Sequence, residues 1–205
     1  MIVIIDYNLG NPESIRNMLR KAGISSSITQ NHNNIKDASK LILPGVGNFD
    51  KGINNLKQLG LIELLNQKVI NEQTPILGIC LGMQLLTERS DEGDENGLGW
   101  IKGSAKHFNI NDDEYKIPHM GWNSIQIKNN STPLLRTKLE NQRFYFVHSY
   151  FVDCKNDNDI LATTNYSIEF CSAVCKNNIM GVQFHPEKSH KYGMEVLRNF
   201  AELNS

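Results

Sequence analysis

Two residues in this chain sit where their side chains could do covalent chemistry. Cys80 lies in Gly78-Ile79-Cys80-Leu81-Gly82, between a short apolar run and a helical pattern. The form G-x-C-x-G at a strand-to-helix turn lifts a nucleophile off the end of a strand. The flanking glycines let the backbone bend and the helix close on the sheet. The start of the helix aims partial positive charge at the sulfur, which favours thiolate over thiol. The Leu81 N–H is then free to face an oxyanion. A free cysteine is also a common small core residue, but the paired glycines and the strand-to-helix context weigh toward the nucleophile.

A thiol nucleophile needs a base, and the base needs a third group to fix its tautomer. Gly181-Val182-Gln183-Phe184-His185-Pro186-Glu187 supplies both. His185 ends an apolar strand, Pro186 biases it toward extended backbone, and Glu187, two positions on, points to the same side. The other histidines are His32, His107, His119, His148 and His190. His148, closing the run Phe146-Val147-His148, is the best competitor as base.

Elements that could position these residues follow from the apolar pattern. Buried strands are expected at 2–5, 40–43 and 75–79, with helices at 12–22, 52–71 and 81–88. Alternating strands and helices imply parallel pairing in an α/β domain of three layers. After about residue 97 the pattern becomes alternating strands joined by turns, at 124–128, 143–147, 160–163, 172–175 and 180–184, before a last helix at 193–203. The Asn/Asp-rich patches at 31–34, 109–113 and 155–159 read as surface turns. No interdomain linker or repeat is evident, so residues 1–205 are expected to form one domain.

Composition narrows the function classes. The net charge is −1 with no long basic run, which disfavours nucleic-acid binding. Cys80, Cys154, Cys171 and Cys175 include no CxxC pair, so neither a structural metal nor a disulfide framework is expected. The opening apolar run is too short to span a bilayer. A cytoplasmic, soluble protein without cofactor is expected.

Taken together, Pro44-Gly45-Val46-Gly47, Gly78-Ile79-Cys80-Leu81-Gly82-Met83-Gln84 and Gly181-Val182-Gln183-Phe184-His185-Pro186-Glu187 resemble class I glutamine amidotransferases. Lys116-Ile117-Pro118-His119-Met120-Gly121-Trp122-Asn123, Tyr145-Phe146-Val147-His148-Ser149-Tyr150 and His185-Pro186-Glu187-Lys188-Ser189 resemble, within that family, the HisH-type glutaminase subunits of imidazole glycerol phosphate synthase. The resemblance covers essentially the whole chain. It departs at Asn8, where the family has glycine, and at Pro12, where an apolar residue is frequent.

The resemblance implies a flavodoxin-like doubly wound, mainly parallel sheet with added antiparallel strands. Cys80 would be nucleophile, His185 general base and acid, and Glu187 its orienter. Backbone at Val46 and Gly47, with Leu81, would form the oxyanion hole. Gly82, Gln84, Glu88, Ser149 and Tyr150 would hold glutamine. Met120, Trp122, Tyr145 and Lys188 would meet a HisF-type (β/α)₈ cyclase subunit that receives the ammonia in histidine biosynthesis. From the residues alone, core packing would be the simpler reading of Met120 and Trp122, and a solvated charge that of Lys188. Two other readings stay open. Asn48-Phe49-Asp50-Lys51-Gly52 and Ser189-His190-Lys191-Tyr192-Gly193 look like HisH-like proteins that supply ammonia for surface-polysaccharide sugars. A catalytically inactive scaffold subunit would need no intact Cys80, His185 and Glu187.

Overall fold

The computed structural model describes residues 1–110, 114–129, 132–136, 139 and 141–203. Its first half alternates strand and helix: β1 (Ile2–Ile5), α1 (Pro12–Lys21), β2 (Ser26–Thr29), α2 (His32–Lys36), β3 (Lys40–Leu43), α3 (Phe49–Gln58), α4 (Leu61–Asn66), β4 (Ile76–Ile79) and α5 (Leu81–Leu85). Its second half is mostly strands: β5 (Arg89–Ser90), β6 (Gly103–His107), β7 (His119–Ser124), β8 (Gln126–Ile127), β9 (Arg143–His148), β10 (Tyr150–Cys154), β11 (Ile160–Tyr166), β12 (Ile168–Lys176) and β13 (Ile179–Val182), closed by α6 (His190–Glu202).

The main sheet runs β2-β1-β3-β4-β13-β12-β10-β6-β5, with β11 paired to β12 and β8. From β2 to β13 all neighbours are parallel, which is the flavodoxin-like order with β13 as fifth strand. From β13 to β6 each neighbour is antiparallel. β7 and β9 form a separate antiparallel pair. Both faces of the parallel half are covered. In β1, Val3 and Ile5 join one apolar cluster while Ile2 and Ile4 join the other, as a sheet buried on two sides requires. No helix among the described residues is long and apolar enough to cross a membrane.

Local chemistry accounts for the element ends. α1 begins at Pro12, and the Asn11 side chain accepts from Ser14 N–H as its cap. The departure at Asn8 is conformationally consistent, because Asn8 holds φ +64°, a region asparagine tolerates better than other residues with a Cβ. The single helix expected over 52–71 is broken. Gly60 takes φ +64° between α3 and α4, and a π-helical turn follows at Gln67–Asn71. The patch 31–34 is not a plain turn: Asn31 caps α2, its side chain accepting from Asn33 and Asn34 N–H. In the patch 155–159, Asp159 is buried and accepts from the Asn156 amide. Residues 111–113 of the third patch lie outside the described residues.

Candidate active site

The strands β1, β3, β4 and β13 end on one edge of the sheet, where ligands bind in open α/β folds. Three of these four ends carry residues expected to act. Tyr7 follows β1, the 44–47 turn follows β3, Cys80 follows β4 and His185 follows β13.

Cys80 sits between Ile79 of β4 and Leu81 of α5 with φ +54° and ψ −112°. A residue with a Cβ holds that backbone only under strain of about 1–3 kcal/mol. The surroundings enforce it. A Cβ on Gly82 would lie 1.9 Å from Leu43 O, and one on Gly78 would lie 2.6 Å from Gly82 O. Only glycine lets α5 come this close to β3 and β4.

His185 Nδ1 lies 2.7 Å from a Glu187 carboxylate oxygen, and both side chains are almost wholly buried. With Nδ1 committed to Glu187, Nε2 is left for Cys80. Burial pulls the His185 pKa down, but the thiol of Cys80 and the carboxylate of Glu187 outweigh it and raise it to about 10. Nε2 nevertheless makes no well-formed hydrogen bond. The His185 backbone is pinned too: its N–H donates to Tyr145 O, while Ser189 Oγ donates to His185 O at 2.6 Å and accepts from Tyr145 N–H at 3.0 Å.

His148 is not available as a base. Its Nδ1–H donates to Tyr150 O at 2.7 Å, so its Nε2 accepts from His119 Nδ1–H at 3.0 Å. Both nitrogens are occupied, and burial is the main reason its pKa falls to about 3. His119 is likewise lowered to about 4 by burial.

A cavity of about 220 Å³ opens beside the sulfur, lined in part by Val46, Gly47, Cys80, Leu81, Gln84 and Glu92, with Val147 to Tyr150 on the opposite strands. Sites for drug-sized ligands span ~300–1,000 Å³, so this one suits something as small as an amino acid. Of the residues expected to hold substrate, Gln84, Ser149 and Tyr150 line it. Gln84 is committed to the protein, however, its amide nitrogen donating to Tyr150 O and Gln183 Oε1.

Two expectations are corrected. Gly82 does not line the cavity and serves the close packing described above. Glu88 does not line it either: Lys155, Lys102 and Gly103 N–H hold its carboxylate and lower its pKa to about 2. Glu92 is the carboxylate on the cavity wall. It also accepts from Phe49 N–H at 2.7 Å, the first residue of α3. Nothing in the sequence marks it beyond its place in an acidic loop. Ser189 was missed for a similar reason, as its role depends on a strand some 44 residues away.

Met120, Trp122, Tyr145 and Lys188 form one surface patch. Met120 is 61% and Trp122 38% exposed, so plain core packing does not describe them. Trp122 pairs with Tyr145 across β7 and β9 and stacks on His190 at 5.3 Å. Lys188 Nζ lies 5.6 Å over the Tyr145 ring. The opposite face of the same strand pair buries His119, Phe144, Phe146 and His148.

The class I glutamine amidotransferase family model matches residues 3–203. This chain belongs to the class I glutamine amidotransferases. It is 56% identical over 202 residues, 98% of each chain, to the imidazole glycerol phosphate synthase subunit HisH 2 of Methanococcus maripaludis. It is 47% identical to the subunit HisH 2 of Pseudomonas aeruginosa, covering 99% of this chain and 100% of that one. The subunit HisH of Leptospira borgpetersenii is 42% identical with the same coverage. Among solved structures, one glutamine amidotransferase superposes with TM-score 0.73 at 15% identity, covering 98% of each chain. The structure titled PurLQS from Thermotoga maritima gives 0.72 at 20% identity, covering 97% of this chain and 96% of that one. These superpositions establish the fold of an amidotransferase of this class.

Proposed function

We propose that this amidotransferase is the glutaminase subunit of an imidazole glycerol phosphate synthase, with Cys80, His185 and Glu187 as its catalytic triad. The observation that carries the chemistry is the Cys80 sulfur on the wall of an amino-acid-sized cavity, interacting with a buried His185 ring that Glu187 holds. What carries the pathway is full-length identity to subunits of that name.

The Cys80 sulfur attacks the side-chain amide carbon of glutamine. The oxyanion is held by Leu81 N–H and by backbone at Val46 and Gly47, each preorganised donor worth roughly 3 kcal/mol of barrier. His185 gives its proton to the departing nitrogen, which leaves as ammonia from a thioester on Cys80. The ring then takes a proton from water, which attacks the thioester and releases glutamate. Glu187 holds Nδ1–H throughout, so that Nε2 does the proton transfer. At the far end of the substrate the Glu92 carboxylate faces the α-ammonium, with Ser149 and Tyr150 beside it.

Ammonia released to water at neutral pH would be protonated and lost as a nucleophile. The exposed patch of Met120, Trp122, Tyr145 and Lys188 is the face that meets a HisF-type (β/α)₈ cyclase subunit, which takes the ammonia directly. Its β9 strand also carries the Val147 carbonyl beside Cys80, so docking there bears on the site itself.

The test is an ammonia-transfer assay on this chain co-purified with its barrel subunit. Glutamine turnover should rise when partner and acceptor are both present, and the histidine-pathway intermediate should be aminated. Equal turnover without partner would count against coupling. Glutaminase activity with transfer only to a sugar-modifying partner would assign the chain to the polysaccharide branch.

A further inference from the structure

Gln183 is fully buried and the reaction above makes no use of it. Its position follows from strand register. Val182 of β13 pairs with Ile79 of β4, and Cys80 N–H donates to Val182 O at 2.8 Å. Gln183 and Cys80 therefore leave their strands side by side, and the Gln183 amide nitrogen lies 3.7 Å from Cys80 Sγ.

The orientation of that amide is forced by its neighbours. Tyr150 O can only accept, so the Gln84 atom 3.0 Å from it must be the amide nitrogen. That nitrogen also lies 3.1 Å from the other side-chain terminus, which must then be the Gln183 oxygen. The NH₂ end of Gln183 is left facing the sulfur. Besides the His185 ring, Val147 O lies 3.9 Å from Sγ, an acceptor that can be served only by an S–H. The sulfur thus has one neighbour suited to each of its protonation states.

We propose that Gln183 is a positioning residue for the nucleophile, donating an amide N–H to the Cys80 sulfur in its attacking form while Gln84 holds that amide in place. It adds a neutral donor to the charge already supplied by His185. The bond from Gln84 also ties the Tyr150 wall of the cavity to the nucleophile through two side chains. This inference rests on Cys80 being the nucleophile of the reaction proposed above.

The experiment compares wild type with Gln183→Met in the full chain. Iodoacetamide alkylation of Cys80 is followed by peptide mass spectrometry across pH, beside a glutaminase assay and a thermal melt. Loss of a hydrogen bond to a charged acceptor predicts alkylation about tenfold slower at pH 7, recovering at higher pH. Should Gln183→Met fail to fold, Gln183→Glu is isosteric and keeps an oxygen for Gln84. Its ionised carboxylate opposes a thiolate, and the same loss is expected. Alkylation with the wild-type pH profile in the folded variant overturns the proposal. A wild type that alkylates at Cys80 but hydrolyses no glutamine instead defeats the functional reading and leaves the alkylation comparison intact.

Discussion

At Cys80 the backbone stands in a region that a residue with a Cβ seldom occupies, and at His185 a buried ring keeps its proton far above the usual range. The two facts belong to one device, a strained turn that delivers sulfur to a ring held by Glu187. Glu187→Gln keeps the shape but removes the charge that fixes the ring. Glutamine turnover should fall roughly 10²- to 10⁴-fold, and the His185 titration followed by NMR should move below about 10. The pH dependence of folding has a definite sign. An ordinary histidine loses its proton near 6.5, whereas the folded ring holds it to about 10. The raised value adds stability that is complete below about 6.5 and is lost as pH climbs through about 10. Denaturant titrations should give a weaker fold at pH 10 than at pH 6. Cys80→Ala, lacking one of the two groups that raise the ring, should show a smaller loss.

Among the elements, the contact of α5 with β3 and β4 is the tightest constraint. Gly82→Ala places a methyl group 1.9 Å from Leu43 O, so either the helix or β3 must shift. A destabilisation of at least ~1–3 kcal/mol is expected, read as a lower denaturant midpoint. Ser189→Ala leaves Tyr145 N–H without its acceptor and should cost ~1–3 kcal/mol. The same elements divide what the sequence discloses from what it does not. The strands at 2–5, 40–43 and 76–79 are continuous apolar runs because both their faces are buried, and such runs are legible without a partner. β2 is an edge strand of sequence Ser-Ser-Ile-Thr, half-buried along its length, and carries no such run. The helix over 52–71 kept its apolar period across Gly60, so the break there left only a glycine as its trace. Cys80, His185 and Glu187 stand out as candidates because their local spacing is that of a nucleophile, a base and its orienter. Glu88 and Glu92 are four residues apart, one on each side of β5, and only the positions of Lys102 and Lys155 decide which carboxylate faces the cavity. Cys154 and Cys171, whose spacing discloses no role, are neighbours across β10 and β12, the contact with Cys154 and burial together raising the Cys171 thiol.

At the scale of the whole molecule, the parallel half of the sheet places Cys80 and His185, and the antiparallel half builds the opposite wall and the outward patch. The β7–β9 pair belongs to both, with His119 and His148 packed inward and Trp122 and Tyr145 turned outward. If that patch docks the barrel subunit, Trp122→Ala should weaken the complex at least tenfold in a binding titration, as loss of a central aromatic anchor does at other interfaces. It should reduce partner-dependent stimulation more than hydrolysis by the lone chain. Unchanged affinity would move the docking face elsewhere on the molecule.

The most direct measurement is the rate of glutamate formation from glutamine by Cys80→Ala beside wild type, both with the barrel subunit present and with circular dichroism to confirm the fold. A folded variant with turnover reduced by roughly 10⁴-fold or more is the predicted result. A folded variant hydrolysing glutamine at a rate near wild type would mean that the sulfur at the end of β4 is not the nucleophile.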